Sequence, residues 1–188
     1  PTVRQAMDTL VRKGLIHRKR GAGTFVKEPE TGVDIFSLAG TSQAFSTRGI
    51  TAATRIIEPV SLKPVPEDPD NPFHGSTALF VSRLTAVEEG PVLLEDIFLH
   101  RVLFNGLENL DLDNQSLAAL VADHYYMKPE KGHQVFSLAH LNPNRAGLMD
   151  LPPGAPVLEV KRTLDFPGNP RAVFSRIFCR TDRFAFSQ

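Results

Sequence analysis

The chain has 188 residues, 41% of them hydrophobic and 22% charged, with 21 basic and 21 acidic side chains. That length suits one large or two small globular domains and excludes disordered and fibrous classes. No apolar run approaches the roughly 18 residues of a membrane span, none reads as a signal peptide, and a lone cysteine, Cys179, excludes a disulfide framework or a Cys-rich zinc module. The expected compartment is the reducing cytoplasm.

The zero net charge hides an asymmetry. Residues 1–27 hold seven basic side chains against Asp8 alone, which leaves 14 of the 21 cations and 20 of the 21 anions for the rest. A basic head on an acidic body points to a polyanionic partner for the head and a separate task for the body; a solvated charged face is the alternative.

In chain order, Val3, Ala6, Met7, Leu10 and Val11 recur at the spacing of an amphipathic helix. Pro1 suits its first turn and Gly14 its stop. The helix has an apolar face and no earlier helix to cover it, so the numbered chain reads as the tail of a larger module. Two short extended runs, 15–20 and 24–26, flank Gly21-Ala22-Gly23 and predict a β-hairpin. The polar, Pro- and Gly-containing residues 27–34 suit a linker, and a body follows over 35–188. Helices are expected at about 41–48, 115–126 and 143–149. Strands are expected at about 53–62, 77–88, 91–100, 133–141, 156–166 and 171–180, with a turn at Pro167-Gly168-Asn169-Pro170. Many strands joined by short turns make the sheet mostly antiparallel and the fold class α+β.

A helix followed by a basic hairpin is the back half of a winged helix-turn-helix. Its exposed face carries Thr2, Arg4, Gln5, Asp8 and Thr9, where Arg can pair with guanine and Gln with adenine. Arg18, Lys19 and Arg20 flank a tip whose Gly21 and Gly23 allow close approach to a minor groove while the cations meet phosphates. The runs Pro1-Thr2-Val3-Arg4-Gln5-Ala6, Leu10-Val11-Arg12-Lys13-Gly14-Leu15-Ile16 and Arg20-Gly21-Ala22-Gly23-Thr24-Phe25-Val26 resemble the GntR family of bacterial transcription regulators. The resemblance implies that two further helices lie upstream, that Thr2, Arg4 and the wing glycines contact operator DNA, and that residues 1–26 are the C-terminal part of the DNA-binding domain.

The body resembles the UTRA effector-sensing domain of the HutC-type branch, which has a chorismate-lyase-like fold. The residues that carry this are Arg83-Leu84-Thr85, Gly90-Pro91-Val92, Glu95-Asp96, Phe98-Leu99, Gln115-Ser116-Leu117 and Cys179-Arg180-Thr181-Asp182-Arg183-Phe184. Across the turn at Glu89-Gly90, Arg83 falls opposite Glu95 or Asp96. The pair is either a plain cross-strand salt bridge or an anion holder beside a reader of a hydroxyl or amine. In the family these positions line the effector pocket. Thr41 and Ser42 begin a helix, as an anion site or as caps, and Ser116 either contacts ligand or caps its own helix. The resemblance adds Thr85 and Cys179 to the pocket. It also marks departures: Thr85 stands where sugar-phosphate sensors carry a second Arg, Val173 where an acidic residue is common and Cys179 where Tyr is common. These suggest a smaller or less polar effector, or fewer anionic contacts. Arg180, Asp182 and Arg183 either line the pocket or form a structural ion pair.

The expected function is therefore a ligand-responsive regulator, a repressor whose operator binding a small-molecule effector relieves. Phosphorylated sugars, amino-acid catabolites and other small anions are candidate effectors. A homodimer is expected, with Phe174, Phe178, Phe184 and Phe186 as apolar surface or else as monomer core. No membrane partner is expected. The alternative is a catalytically active chorismate-lyase-like enzyme, but no triad motif, P-loop or GxGxxG occurs. No cofactor is expected. No metal is expected either: His74, His100, His124, His133 and His140 lack ligand spacing, and Asp111-Leu112-Asp113-Asn114 lacks the later Gly and Glu of a calcium loop.

Overall fold

The computed structural model describes residues 3–12, 16–19, 23–26, 32–33, 41–46, 49–182 and 185–186. The chain divides into two compact units, Pro1–Thr31 and Gly32–Gln188.

The first unit holds α1 (Val3–Arg12), β1 (Ile16–Lys19) and β2 (Gly23–Val26). The strands pair antiparallel, with Ile16 opposite Val26 and Lys19 opposite Gly23. Gly23 has φ +117°, a backbone that suits glycine and strains other residues. Val3 of α1 is 82% exposed, and Met7 and Leu10 are half-buried. The helix and the hairpin read from the sequence are both present.

The second unit comprises β3 (Gly32–Val33), α2 (Thr41–Ser46), β4 (Ala53–Pro64), β5 (Thr77–Val87), β6 (Gly90–Leu99), α3 (Leu117–Tyr125), β7 (Lys131–His140), α4 (Pro143–Leu148), β8 (Pro156–Phe166), β9 (Asn169–Cys179) and β10 (Ala185–Phe186). Six strands form one antiparallel sheet in the order β4-β5-β6-β9-β8-β7. It is two three-stranded meanders set side by side, β4–β6 and β7–β9, joined where β6 meets β9. The chain leaves β6, crosses one face through a 3-10 turn at Leu107–Asn109 and α3, and enters the far edge as β7. Pro167-Gly168 closes the β8–β9 hairpin, with Phe166 opposite Asn169. Gly168 has φ +68°, the third-position backbone of a type II turn whose second position favours Pro.

Period-two alternation sets the two faces of the sheet. On one face Leu79, Val81, Ile97, Leu99 and Val173 pack under Phe104, Leu107, Leu112, Leu120 and Val121. Further along the same face, Leu93, Val160, Ile177 and Cys179 pack under Ala44 and Phe45 of α2. The opposite face packs Leu84, Leu94, Val157 and Phe178 against Ala146 and Met149 at α4. It also carries an ionic lattice. Ser82 donates to Asp96 (2.8 Å), Arg145 also reaches Asp96, and Arg176 Nε donates to Glu159 (2.6 Å). The guanidiniums of Arg145 and Arg176 lie over the Phe178 ring at 4.7 and 5.3 Å.

Two findings differ from the sequence reading. Residues 32–33, read as the end of the linker, form β3 and pair in parallel with β10 at the far end of the chain. Phe174 and Phe178, offered as dimer surface, are 1% and 2% exposed and belong to the subunit's own core. Phe184 lies outside the described residues. The largest apolar exposure on the sheet is instead on β7, its edge strand, where Val135, Phe136 and Leu138 are 50%, 46% and 70% exposed.

Candidate functional site

Between the α2 end and the α3 end of the first face lies a pocket of about 640 Å³, its open mouth included. Its polar lining is Thr41, Arg83, Glu95, Ser116, Arg162 and Ser175, and its apolar lining includes Ile97, Leu99, Leu117, Val121, Leu164, Phe166 and Val173. The register explains the polar group. Arg83 on β5 stands directly opposite Glu95 on β6, and Glu95 opposite Ile177 on β9. Two residues along, Ile97 faces Ser175 and Ser175 faces Arg162 on β8. Alternation then projects Arg83, Glu95, Ser175 and Arg162 from one face, into the gap between the two helices.

Arg83 and Glu95 are each 4% exposed and paired at 2.8 Å, Nη2 to Oε2. The same Glu95 oxygen accepts from the Thr41 hydroxyl at 3.1 Å, so α2 is tied to the sheet through the site. Nε and Nη1 of Arg83 are buried and lack a hydrogen-bond partner among the described residues. Open donors on a buried guanidinium cost stability until an acceptor meets them. Oxyanions suit such a planar fork well.

The structure brings together Thr41, Arg83, Glu95 and Ser116 at one pocket. Ser116 keeps both of its readings: it lines the pocket, and its hydroxyl caps α3 by accepting from the Ala119 amide at 3.3 Å. Ser42 lies in α2 beside Thr41. Thr85 is on the Arg83 face but turns to Thr54, hydroxyl to hydroxyl at 2.9 Å, and is not part of the lining. Cys179 is fully buried in the apolar cluster beneath α2. Burial pushes its thiol well above the ordinary value; the nearby Glu95 carboxylate adds to the rise and Arg162 opposes it. Arg180 forms a bidentate ion pair with Asp182 (3.1 and 2.6 Å) and donates to the Met149 carbonyl, so it is structural. Arg183 lies outside the described residues. Sequence reasoning missed Ser175 and, among the charged lining, Arg162. Its only sequence signal was a period-two reading of β8 that puts it on the face of Val160 and Leu164.

In the first unit, Arg4 and Gln5 lie on α1, Arg18 and Lys19 on β1, and Gly23 opens β2. Gln5 is exposed and its carbonyl accepts from Thr9 at 2.9 Å. Thr2, Arg20 and Gly21 lie outside the described residues.

A buried, cation-bearing pocket under two helices of a sheet domain, on a chain that also carries a helix and a basic hairpin, has the makings of a ligand-sensing regulator. Comparison with known proteins agrees. The UTRA domain model matches residues 47–185. The HTH-type transcriptional repressor NagR of Bacillus subtilis is 25% identical over 191 residues, covering 98% of this chain and 76% of that protein. The uncharacterised HTH-type transcriptional regulator YurK of the same organism is 23% identical, covering 99% and 78%. The crystal structure of PhnF from Mycobacterium smegmatis has the same fold, with a TM-score of 0.75 and 20% identity over 98% of this chain and 82% of that one. The chain belongs to the UTRA-domain family, and the curated relatives it matches are HTH-type transcription regulators. The α+β, chorismate-lyase-like sheet expected from the sequence is the fold found.

Proposed function

We propose that this regulator is a repressor released from its operator by a small molecule bound at Arg83. The observation that carries the reading is the buried guanidinium of Arg83, a lining residue of the pocket, whose Nη2 is fixed on Glu95 while Nε and Nη1 have no partner among the described residues. Arg83 holds an anionic group of the effector. Glu95, oriented by Arg83 and Thr41, reads a donor elsewhere on the ligand. Ordering of α2 through Thr41 transmits occupancy toward residues 27–34. The chain enters the body there through β3, which β10 pins.

The head reads DNA through Thr2, Arg4 and Gln5, with Arg18, Lys19, Arg20, Gly21 and Gly23 at the wing. The regulator acts as a homodimer, as two-fold operators favour. The exposed apolar edge strand β7 supports that assembly. The site binds and does not turn over its ligand. In support, one oxygen of Glu95, the lone carboxylate of the described lining, already accepts two bonds, and burial holds the Cys179 thiol neutral.

The test is operator binding by the intact regulator, with an effector first found by thermal-shift screening. Arg83→Ala should bind operator as wild type does and fail to release it. Release at the wild-type effector concentration would make Arg83 structural and overturn the assignment.

A further inference from the structure

Arg180 and Asp182 stand outside the pocket lining, yet the Arg180 side chain is buried, 4% exposed. All three of its guanidinium nitrogens are engaged. Nη1 donates to the Met149 carbonyl at the end of α4, and Nε and Nη2 donate to the two carboxylate oxygens of Asp182. The Arg180 amide donates to the Val92 carbonyl on β6 at 3.0 Å. Arg180 thus joins α4, β6 and the segment after β9 at one buried point. A planar guanidinium that holds both oxygens of a carboxylate fixes its direction as well as its distance.

What this pair orders is the chain beyond it. Ala185, the first residue of β10, follows Asp182 by three positions, a reach of about 10 Å at most. β10 pairs with β3 over two positions, Ala185 with Gly32 and Phe186 with Val33. So short a pairing is not stable by itself and needs a strand held from outside. β10 is the held strand, and β3 docks on it. Gly32 begins the second unit and follows Thr31, the last residue of the first. The strand that docks on β10 is therefore the one that joins the basic head to the body.

We propose that Arg180 and Asp182 are positioning residues for operator binding: they hold β10 as the strand on which β3 docks, and so fix the point from which each head reaches DNA. With β3 freed, the chain between anchored elements lengthens from residues 27–31, between β2 and β3, to residues 27–40, between β2 and α2. The effective concentration of a second head at its half-site falls as about the −3/2 power of that length, roughly fivefold. The contacts of one head with one half-site do not depend on it. This rests on the reading of the regulator as a two-headed operator binder and requires no effector.

The probe is the duplex that the intact regulator selects from random-sequence DNA, used whole and cut to a single half-site. Wild type should bind the whole duplex more tightly than the half-site. Asp182→Ala should lose at least about fivefold on the whole duplex and stay within about twofold on the half-site. Arg180→Lys, which keeps the charge and gives up the fork, should show the same pattern. Gly32→Cys with Ala185→Cys, oxidised to a disulfide across the β3–β10 pair, should restore tight binding in the Asp182→Ala background, and reduction should remove it again. A native circular-dichroism spectrum is required of each variant, and Arg180→Lys with the cross-link decides the matter if Asp182→Ala does not fold. Whole-duplex binding at wild-type strength in both variants overturns the proposal. So does an equal loss on both duplexes, which places the defect in the head, or a loss that the cross-link does not repair. A wild type that binds the two duplexes alike overturns the two-headed reading, and the positioning role with it.

Discussion

Removing Arg83 while leaving Glu95 in place should expose the energetics of the site. Both side chains are 4% exposed and meet at 2.8 Å. An exposed pair of this kind contributes about 0–1 kcal/mol. Breaking a buried pair from one side costs about 3–5 kcal/mol, because the remaining charge is stranded. The Thr41 hydroxyl still serves Glu95 after the change, and the open donors of Arg83 disappear with it, so the lower end applies: about 3 kcal/mol for Arg83→Met. In a domain of this size 1 kcal/mol moves the melting midpoint by about 2–4 °C, so Arg83→Met should melt about 6–12 °C below wild type. Replacing both partners, Arg83→Met with Glu95→Leu, leaves no stranded charge and should recover most of that loss. The assay is thermal unfolding of the two single variants, the double variant and wild type, followed by circular dichroism. A single variant that melts within about 2 °C of wild type would refute the buried-pair account. So would a double variant that melts lower than both singles.

Other consequences follow from single residues. Cys179, buried and with its thiol pushed up, should resist alkylation at pH 8 in the native protein and label only as fast as the domain opens; stoichiometric labelling within seconds would contradict its placement. Above the thiol's ordinary value of 9.0 the unfolded chain ionises first, so this group lowers stability as pH rises. Tyr126 ends α3 in the left-handed region at φ 54° and is 90% exposed, so Tyr126→Gly should raise stability by up to about 1 kcal/mol, read by chemical denaturation; a loss would show that the ring packs. Leu138→Lys on β7 should shift the sedimentation equilibrium of the regulator toward monomer with the melting midpoint unchanged; an unaltered dimer would place the interface elsewhere.

The two tight hairpins, β5–β6 and β8–β9, were legible because each announces itself. Glu89-Gly90-Pro91 and Pro167-Gly168 sit between runs of strand formers, and fixing the first turn narrows the partner of Arg83 to Glu95 or Asp96, of which the register selects Glu95. The partnership of β6 with β9 carries no local signal, since it joins two separately closed meanders across a long sequence gap. Arg162 was hidden for a related reason. In β8 charged residues fall on both faces: Glu159 and Lys161 on one, Arg162 on the other. Only the neighbours brought by β9 decide which face lies under α2 and α3. The β3–β10 pairing is two residues long and joins opposite ends of the second unit, so backbone contact in the fold, and not residue type, creates it. Thr85 was placed in the pocket by the family resemblance alone. Its hydroxyl is drawn away by Thr54, a partner on β4 that the β5 sequence does not announce.

The central claim is that pocket and operator oppose each other through one protein. Linkage makes that claim reciprocal: if an effector weakens operator binding by some factor, operator must weaken effector binding by the same factor. Allosteric couplings of about 1–3 kcal/mol correspond to roughly 5–150-fold. The decisive measurement is calorimetric titration of the identified effector into the intact regulator, free and saturated with operator. Effector affinity should be at least about fivefold weaker in the operator complex, matched by an equal loss of operator affinity at saturating effector. Equal effector affinities in the two states would contradict it, because a ligand that binds both states alike can shift neither.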